Sequence, residues 1–341
     1  MNQDIRQQRL KSLLATQPRL HRLDQTSVNI LYADANARQV PVTVITEDKD
    51  ALLHKWIPAG MAMVREQLRT HGALLFRGFN VASVEAFRLV VQAFSEEAMP
   101  YTQRSSPRTE IKDRIYTSTD HPADQYINMH NELSYSYRWP LQIMFCCMQP
   151  AAKGGETPIA DSRQVLKALS PQTRQQFRDK GIMYVRNLGG GLGLDWQQVF
   201  QTDSRESVEE ECRQNEMHFE WKDNNRLQIR WTRPAIVKHP ATGEEIWFNH
   251  AYFFNAANLD EAVADAVMSR EDMPFNTFYG DGSPIPVAVL EEIGAAYERS
   301  RIVFPWKKGD VLLMDNMLMS HGRYPYEGNR KIMVAMWEPN R

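Results

Sequence analysis

The segment INMHNELSY holds the residues best suited to chemistry, a histidine and a carboxylate two positions apart, His130 and Glu132. In an extended segment, side chains two apart leave the same face, so this imidazole and carboxylate can grip a divalent metal together. A second imidazole would complete a two-histidine, one-carboxylate set, which leaves coordination positions open for a co-substrate and for oxygen. An HxE triplet alone is weak evidence, because short motifs match by chance. Two downstream stretches add weight. KGGETPIAD places Thr157 27 residues after His130. GDVLLMDNMLMSHGRYPYEGNRKIMVAM carries a strand-like run, a polar turn, His321, and then Arg330 nine residues later at the head of another strand-like run. A guanidinium stays charged at any working pH and grips a carboxylate through two parallel hydrogen bonds. Arg330 therefore suits an anion-binding role, and Thr157 can donate its hydroxyl to the same carboxylate.

Other residues compete for these roles. Nine histidines are present, and His250 in WFNHAYFF is either an alternative third ligand or a core or pocket residue. His121, His218 and His239 lie in polar or turn-like surroundings and are expected to face solvent. Arg323 follows His321 closely and rivals Arg330, or else meets a substrate carboxylate. Asp161 and Asp315 read as a helix cap and a turn residue. Tyr135, Tyr137, Trp139, Trp247, Phe248 and Tyr252 are by default core or pocket wall. Arg104 in YTQRSSPRTE either binds an anionic group of a substrate or is solvated. Zinc also accepts two histidines and a carboxylate, so a hydrolase remains open on these residues alone.

The elements that must position such a site are legible in outline. The 341 residues are 43% apolar and 24% charged, enough for a sizeable core in one large domain or two ordinary ones. No linker-like tract divides them. Residues 1–40 are polar and read as a loosely attached arm, leaving 41–341 as a single domain. With 40 basic and 42 acidic residues, the formal charge of -2 gives no reason to expect nucleic acid or an anionic membrane surface as a partner. No stretch approaches the roughly 20 apolar residues that cross a bilayer, and the N-terminus lacks an apolar signal core. Three cysteines, two of them adjacent in QIMFCCM, make neither a disulfide scaffold nor a thiolate zinc site. A cytoplasmic protein is expected.

Apolar spacing from Asp48 to His71 predicts a helix that Pro58 should break or kink. ALLFRGF suits a buried strand, and Val84–Phe94 again has helical spacing. From Leu141 onwards the runs QIMFCCM, GIMYVRN, RLQIRWT, EEIWFN, DVLLMD and KIMVAMW read as strands. Helical segments interrupt them at Ser162–Leu169, Val208–Arg213, Leu259–Met268 and Val287–Tyr297. Many short strands without regular strand–helix alternation favour a jelly roll or sandwich. The Gly-rich GGGLGLDW lacks the Lys-Ser/Thr of a phosphate loop and reads as a flexible surface loop.

Through ALLFRGF, HNELSY, KGGETPIADSRQVL, VRNLGGGLGLDWQQVFQT, KHPATGEEIWFN and DNMLMSHGRYPY with the following NR, the sequence resembles the taurine dioxygenase/clavaminate synthase-like family of 2-oxoglutarate oxygenases. The likeness is greatest to the branch that hydroxylates amino acids and nonribosomal-peptide intermediates, and spans Ala73–Arg330, about three quarters of the chain. It implies a mainly β double-stranded β-helix, or jelly roll, with flanking helices. It also implies Fe(II) held by His130, Glu132 and His321, 2-oxoglutarate held by Thr157 and Arg330, and O2 as the oxidant. The implied reaction decarboxylates 2-oxoglutarate to succinate and CO2 while hydroxylating an unactivated C–H bond. Halogenating relatives replace the carboxylate ligand with a small residue; Glu132 is present, which favours oxygen insertion. The implied substrate is a small amino-acid-like molecule, free or tethered to a carrier protein. Tyr135 and Asn249 lie in family segments near the iron and join Arg104 and Arg323 as candidate substrate contacts. Desaturation or cyclisation on the same scaffold, and a non-catalytic metal-binding jelly roll, are the alternatives. The oligomeric state is not legible.

Overall fold

Apolar runs with no polar alternation are what a strand shows when both of its faces are covered. In the computed structural model, which describes residues 19–22, 28–32, 41–95, 98–99, 108–119, 121–189, 194–258 and 273–339, each such run is a strand. QIMFCCM lies within Pro140–Gln149, DVLLMD within Val311–Asp315 and KIMVAMW within Lys331–Pro339. These three are neighbours at the centre of a nine-stranded sheet, with Pro140–Gln149 in the middle. Strand Ala73–Arg77 pairs on the far side of Val311–Asp315, and Val42–Thr46 runs parallel to it. Two short strands, Arg19–Arg22 and Val28–Tyr32, continue that edge from within the segment read as an arm.

Alternation along these strands splits the core in two. Met144, Cys146, Leu313, Met333 and Ala335 face the helices Leu53–His71 and Val84–Phe94. Their sequence neighbours Phe145, Cys147, Leu312, Met314 and Val334 face the other way, into a larger cluster. That second face is closed by a four-stranded sheet in the order Arg301–Ile302, Ile159–Asp161, Met319–Arg323, Ile127–His130. A further four-stranded sheet, His218–Lys222, Arg226–Arg233, Ile182–Leu188 and Phe275–Tyr279, adds its buried side chains to the same cluster. Two main sheets enclosing a core, with helices outside, is the jelly roll expected.

Local signals explain most helix limits. The Ser83 hydroxyl accepts from the Ala86 N–H at 3.0 Å and caps Val84–Phe94, and Asp161 caps Ser162–Ala168. Helix Leu53–His71 runs through Pro58 rather than ending there. Pro58 lies in the second turn, so its missing N–H costs only the bond to the His54 carbonyl. Helix Pro171–Lys180 escapes hydrophobic periodicity because only Thr173 and Phe177 are buried in it. Its signal is instead the Ser170 cap followed by Pro171 at the first helical position. Residues 190–193 of the Gly-rich loop and the expected helix Leu259–Met268 lie outside the described residues. Among the described residues no helix is long and apolar enough to cross a membrane.

Candidate active site

The small sheet builds the site through its register. His321 lies directly opposite His130 in the antiparallel pair between Met319–Arg323 and Ile127–His130. On its other side it faces Ile159, two residues beyond Thr157. Opposed residues in such ladders have Cα atoms about 4.5–5.5 Å apart, and the two imidazole centroids are 4.5 Å apart. The Nδ1 of His130 is 2.8 Å from the Asn128 carbonyl. That partner assigns the proton to Nδ1 and turns the Nε2 lone pair outward, as a metal ligand requires.

Glu132 is placed differently from the sequence expectation. The strand ends at His130 and Glu132 sits in the turn that follows, so strand alternation does not orient it. Asn316, fully buried, does. The Glu132 N–H donates to Asn316 Oδ1 at 2.8 Å, and Asn316 Nδ2 donates to the carbonyls of Glu132 at 2.9 Å and Pro140 at 2.8 Å. Leu133 takes a left-handed φ of 54°, which bends the chain at that point. The Glu132 Oε2 then stands 3.9 Å from His321 Nε2. One ligating atom from each of His130, Glu132 and His321 fits within 4.8 Å of the others, and the donor set suits a metal of the iron(II) type with positions to spare. Burial, foremost, holds His130 below its ordinary pKa and His321 well below it. Both imidazoles are therefore neutral at pH 7 and able to ligate.

Beside the triad is the second expected pair. Arg330 Nη2 lies 3.4 Å from Thr157 Oγ1, while its Nε donates to the Gly155 carbonyl at 2.8 Å. Gly155 has φ of 72°, and a Cβ there would stand 3.0 Å from Arg330 Cδ, so the KGGET glycine leaves room for the guanidinium. Burial, and then the neighbouring Arg323, pull Arg330 down to about 10, which still leaves it charged at neutral pH. Arg323 is committed elsewhere. It donates to the carbonyls of His121 at 2.9 Å and Gln125 at 2.8 Å, and also to that of Pro122. It braces the loop that walls the site, which leaves Arg330 the freer anion-binding group.

Triad, Thr157, Arg330 and Arg323 line one cavity of about 630 Å³. Pockets of roughly 300–1,000 Å³ hold drug-sized molecules, so there is room for 2-oxoglutarate and a second small molecule. An apolar wall faces the triad. Phe253 packs on His130 at 4.7 Å, Phe145 on His321 at 5.1 Å, and Phe254 stacks on Phe275 at 4.1 Å.

Several expectations need correction. Tyr135 is buried against His250, Phe254, Tyr184 and Trp231 and does not line the cavity. Asn249 spends its side chain on the Ala235 carbonyl and the Ala251 N–H, both at 2.9 Å, and does not line it either. His250 is a core residue with Nδ1 2.7 Å from Ser134 Oγ, behind the His130 ring. His239 is buried rather than solvated, with Nε2 3.0 Å from Asp315 Oδ2, because the turn that carries it folds back over the Asp315 turn. Asp315 Oδ1 in turn accepts the N–H groups of Met317 and Leu318. His121 lines the cavity and His218 is exposed. Arg104 lies outside the described residues.

The residue that the sequence reading missed is Arg108, four positions further along the same stretch. It is buried, lines the cavity, and sets Nη2 2.5 Å from Glu132 Oε2. Only its place beside Arg104 in YTQRSSPRTE pointed to it. Asn316 was missed too, although it stands inside the DNMLMSH stretch.

Comparison with known proteins agrees with this geometry. Residues 37–337 match the model of the family described as taurine catabolism dioxygenase TauD, TfdA family. The dapdiamide synthesis protein DdaC of Enterobacter agglomerans is 39% identical over 279 residues, covering 81% of this chain and 85% of that one. A clavaminate synthase-like protein of Arabidopsis thaliana is 30% identical over 279 residues, covering 79% and 82%. The fold is shared with the crystal structure of a taurine dioxygenase from Burkholderia xenovorans, with a TM-score of 0.53 at 13% identity over 91% of this chain and 89% of that one.

Proposed function

The chain belongs to the taurine catabolism dioxygenase TauD, TfdA family, and from that membership we propose that it hydroxylates an unactivated C–H bond of an amino acid or amino-acid-derived molecule. As a member it is an iron(II)- and 2-oxoglutarate-dependent dioxygenase. In the proposed reaction the substrate takes one oxygen atom of O2 as a hydroxyl. The other enters succinate as 2-oxoglutarate loses CO2. The observation that carries the reading is Glu132, a carboxylate in the triad with His130 and His321 and on the same cavity as Thr157 and Arg330.

Bound iron would supply the oxidation; the chain's residues bind, orient and exclude water. His130, Glu132 and His321 would hold the metal. Arg330 and Thr157 would fix one carboxylate of 2-oxoglutarate, and the Phe253–Phe254–Phe275 wall would hold apolar substrate atoms away from water. The relative at 39% identity takes its name from dapdiamide synthesis, which supports a biosynthetic substrate. That substrate is free or carrier-tethered.

A screen of free and carrier-bound amino acids for substrate-stimulated succinate formation tests this, with product mass read alongside. A gain of one oxygen is expected. A loss of two hydrogens would establish desaturation or cyclisation instead, and no iron-dependent 2-oxoglutarate turnover would leave a metal-binding jelly roll. Glu132→Ala should abolish product; undiminished turnover would remove Glu132 from the ligand set.

A further inference from the structure

Thr157 Oγ1 meets two side chains that can only donate. The indole N–H of Trp306 reaches it at 3.0 Å, and Arg330 Nη2 lies 3.4 Å away. Neither an indole nor a guanidinium accepts a hydrogen bond, whereas a hydroxyl has two lone pairs and one proton. With donors directed at both lone pairs, the Thr157 hydroxyl has its proton to offer. Thr157 lines the cavity and Trp306 does not, so the indole acts on a ligand only through Thr157.

The indole is held in place from three sides. Trp306 is 8% exposed, and the Phe304 ring packs edge-on against it at 5.3 Å. The backbone on either side is tied to strand Ala73–Arg77 through one ion pair. Arg77 grips Asp310 with two parallel bonds, Nε to Oδ1 at 3.0 Å and Nη2 to Oδ2 at 2.6 Å. The same Nη2 donates to the Pro305 carbonyl at 2.9 Å, and Asp310 Oδ2 also accepts the Lys307 N–H at 2.8 Å. The residues before and after Trp306 are therefore fixed by the arginine of ALLFRGF and its buried partner.

We propose that Trp306 is a positioning residue: its indole N–H sets the Thr157 hydroxyl as a donor to the carboxylate of 2-oxoglutarate. Arg77 and Asp310 hold the segment that carries it. Thr157 and Arg330 then present donors together, and an ionised carboxylate supplies the acceptors they need. This rests on the oxygenase reading of the cavity and deepens it.

The test is a double-mutant cycle in binding affinity, which no turnover enters. Mn(II)-loaded protein is titrated by calorimetry with N-oxalylglycine, which is 2-oxoglutarate with an N–H in place of one CH2. Wild type, Trp306→Phe, Thr157→Val and the double variant are compared. Trp306→Phe should weaken binding about threefold to tenfold, the scale of one hydrogen bond. In the Thr157→Val background the same change should have no further effect, because there is no hydroxyl left to orient. A merely structural tryptophan would cost the same in both backgrounds, and that result overturns the proposal. Wild-type affinity in Trp306→Phe overturns it equally. Trp306→Leu repeats the cycle if the phenylalanine variant does not fold. Wild type that fails to bind N-oxalylglycine would overturn the oxygenase reading and this inference with it, whereas binding that ignores Trp306 overturns this inference alone.

Discussion

At the scale of the residue, two arginines illustrate what a side chain's partners decide. Arg323 and Arg330 are seven positions apart and both line the cavity, yet their donors have different fates. Arg323 spends Nη1 and Nη2 on the backbone carbonyls of the 121–125 loop, whereas Arg330 bonds Gly155 through Nε and turns Nη2 towards Thr157. A charge-assisted hydrogen bond contributes about 1.5–3 kcal/mol. Arg330→Ala should accordingly weaken 2-oxoglutarate binding by roughly tenfold to a hundredfold. Substrate affinity should change little. Direct titration of both ligands checks this, and similar losses for the two would end the assignment. The order of His130, Thr157, His321 and Arg330 was legible in sequence because each sits in a distinctive stretch. Arg108 was not, since pairing across 24 residues leaves no local trace.

At the scale of the element, the strands do what the side chains cannot. Met319–Arg323 and Ile127–His130 approach so closely that a Cβ on Gly322 would stand 2.6 Å from the Ile127 carbonyl. That is closer than non-bonded atoms tolerate, and the obstacle is backbone. Gly322→Ala should therefore part the two ligand strands and lower metal affinity at least tenfold, an order-of-magnitude expectation from how tightly packed interiors resist added volume. Metal titration of the folded variant would decide, and wild-type affinity would show that the ladder can give. Asn316 holds the next link. Asn316→Ala orphans the Glu132 N–H and the Glu132 and Pro140 carbonyls, at a cost of about 3 kcal/mol. Urea unfolding should read this loss, and a shift within error would mean that water replaces the amide. HxE spacing suggested one strand for both ligands, but a strand end, a left-handed Leu133 and a distant asparagine place the carboxylate.

At the scale of the whole molecule, the large sheet divides a helix-backed core from the one on the side of the site, and His130, His250 and His321 are buried together there. Burial holds His130 below, and His250 and His321 well below, the ordinary histidine value. Each binds a proton near pH 6.5 when unfolded but resists one when folded. The unfolded state thus binds more protons in acid, so stability is full above about pH 6.5 and declines below it. The thermal midpoint of chelator-treated protein should drop from pH 7 to pH 5, and less steeply in His250→Asn. Parallel profiles for the two would show that His250 does not contribute.

By itself the sequence determined the fold class, a candidate metal-binding set of two histidines and a carboxylate, and the likeness to 2-oxoglutarate oxygenases. Apolar periodicity and local motifs are properties of short segments and survive in one dimension. Only the tertiary structure decided how Glu132 is oriented, which arginine remains available beside Thr157, and that Arg108 shares the Glu132 carboxylate. Those outcomes depend on register and on contacts between distant segments, where a shift of one residue would turn a ligand to the opposite face.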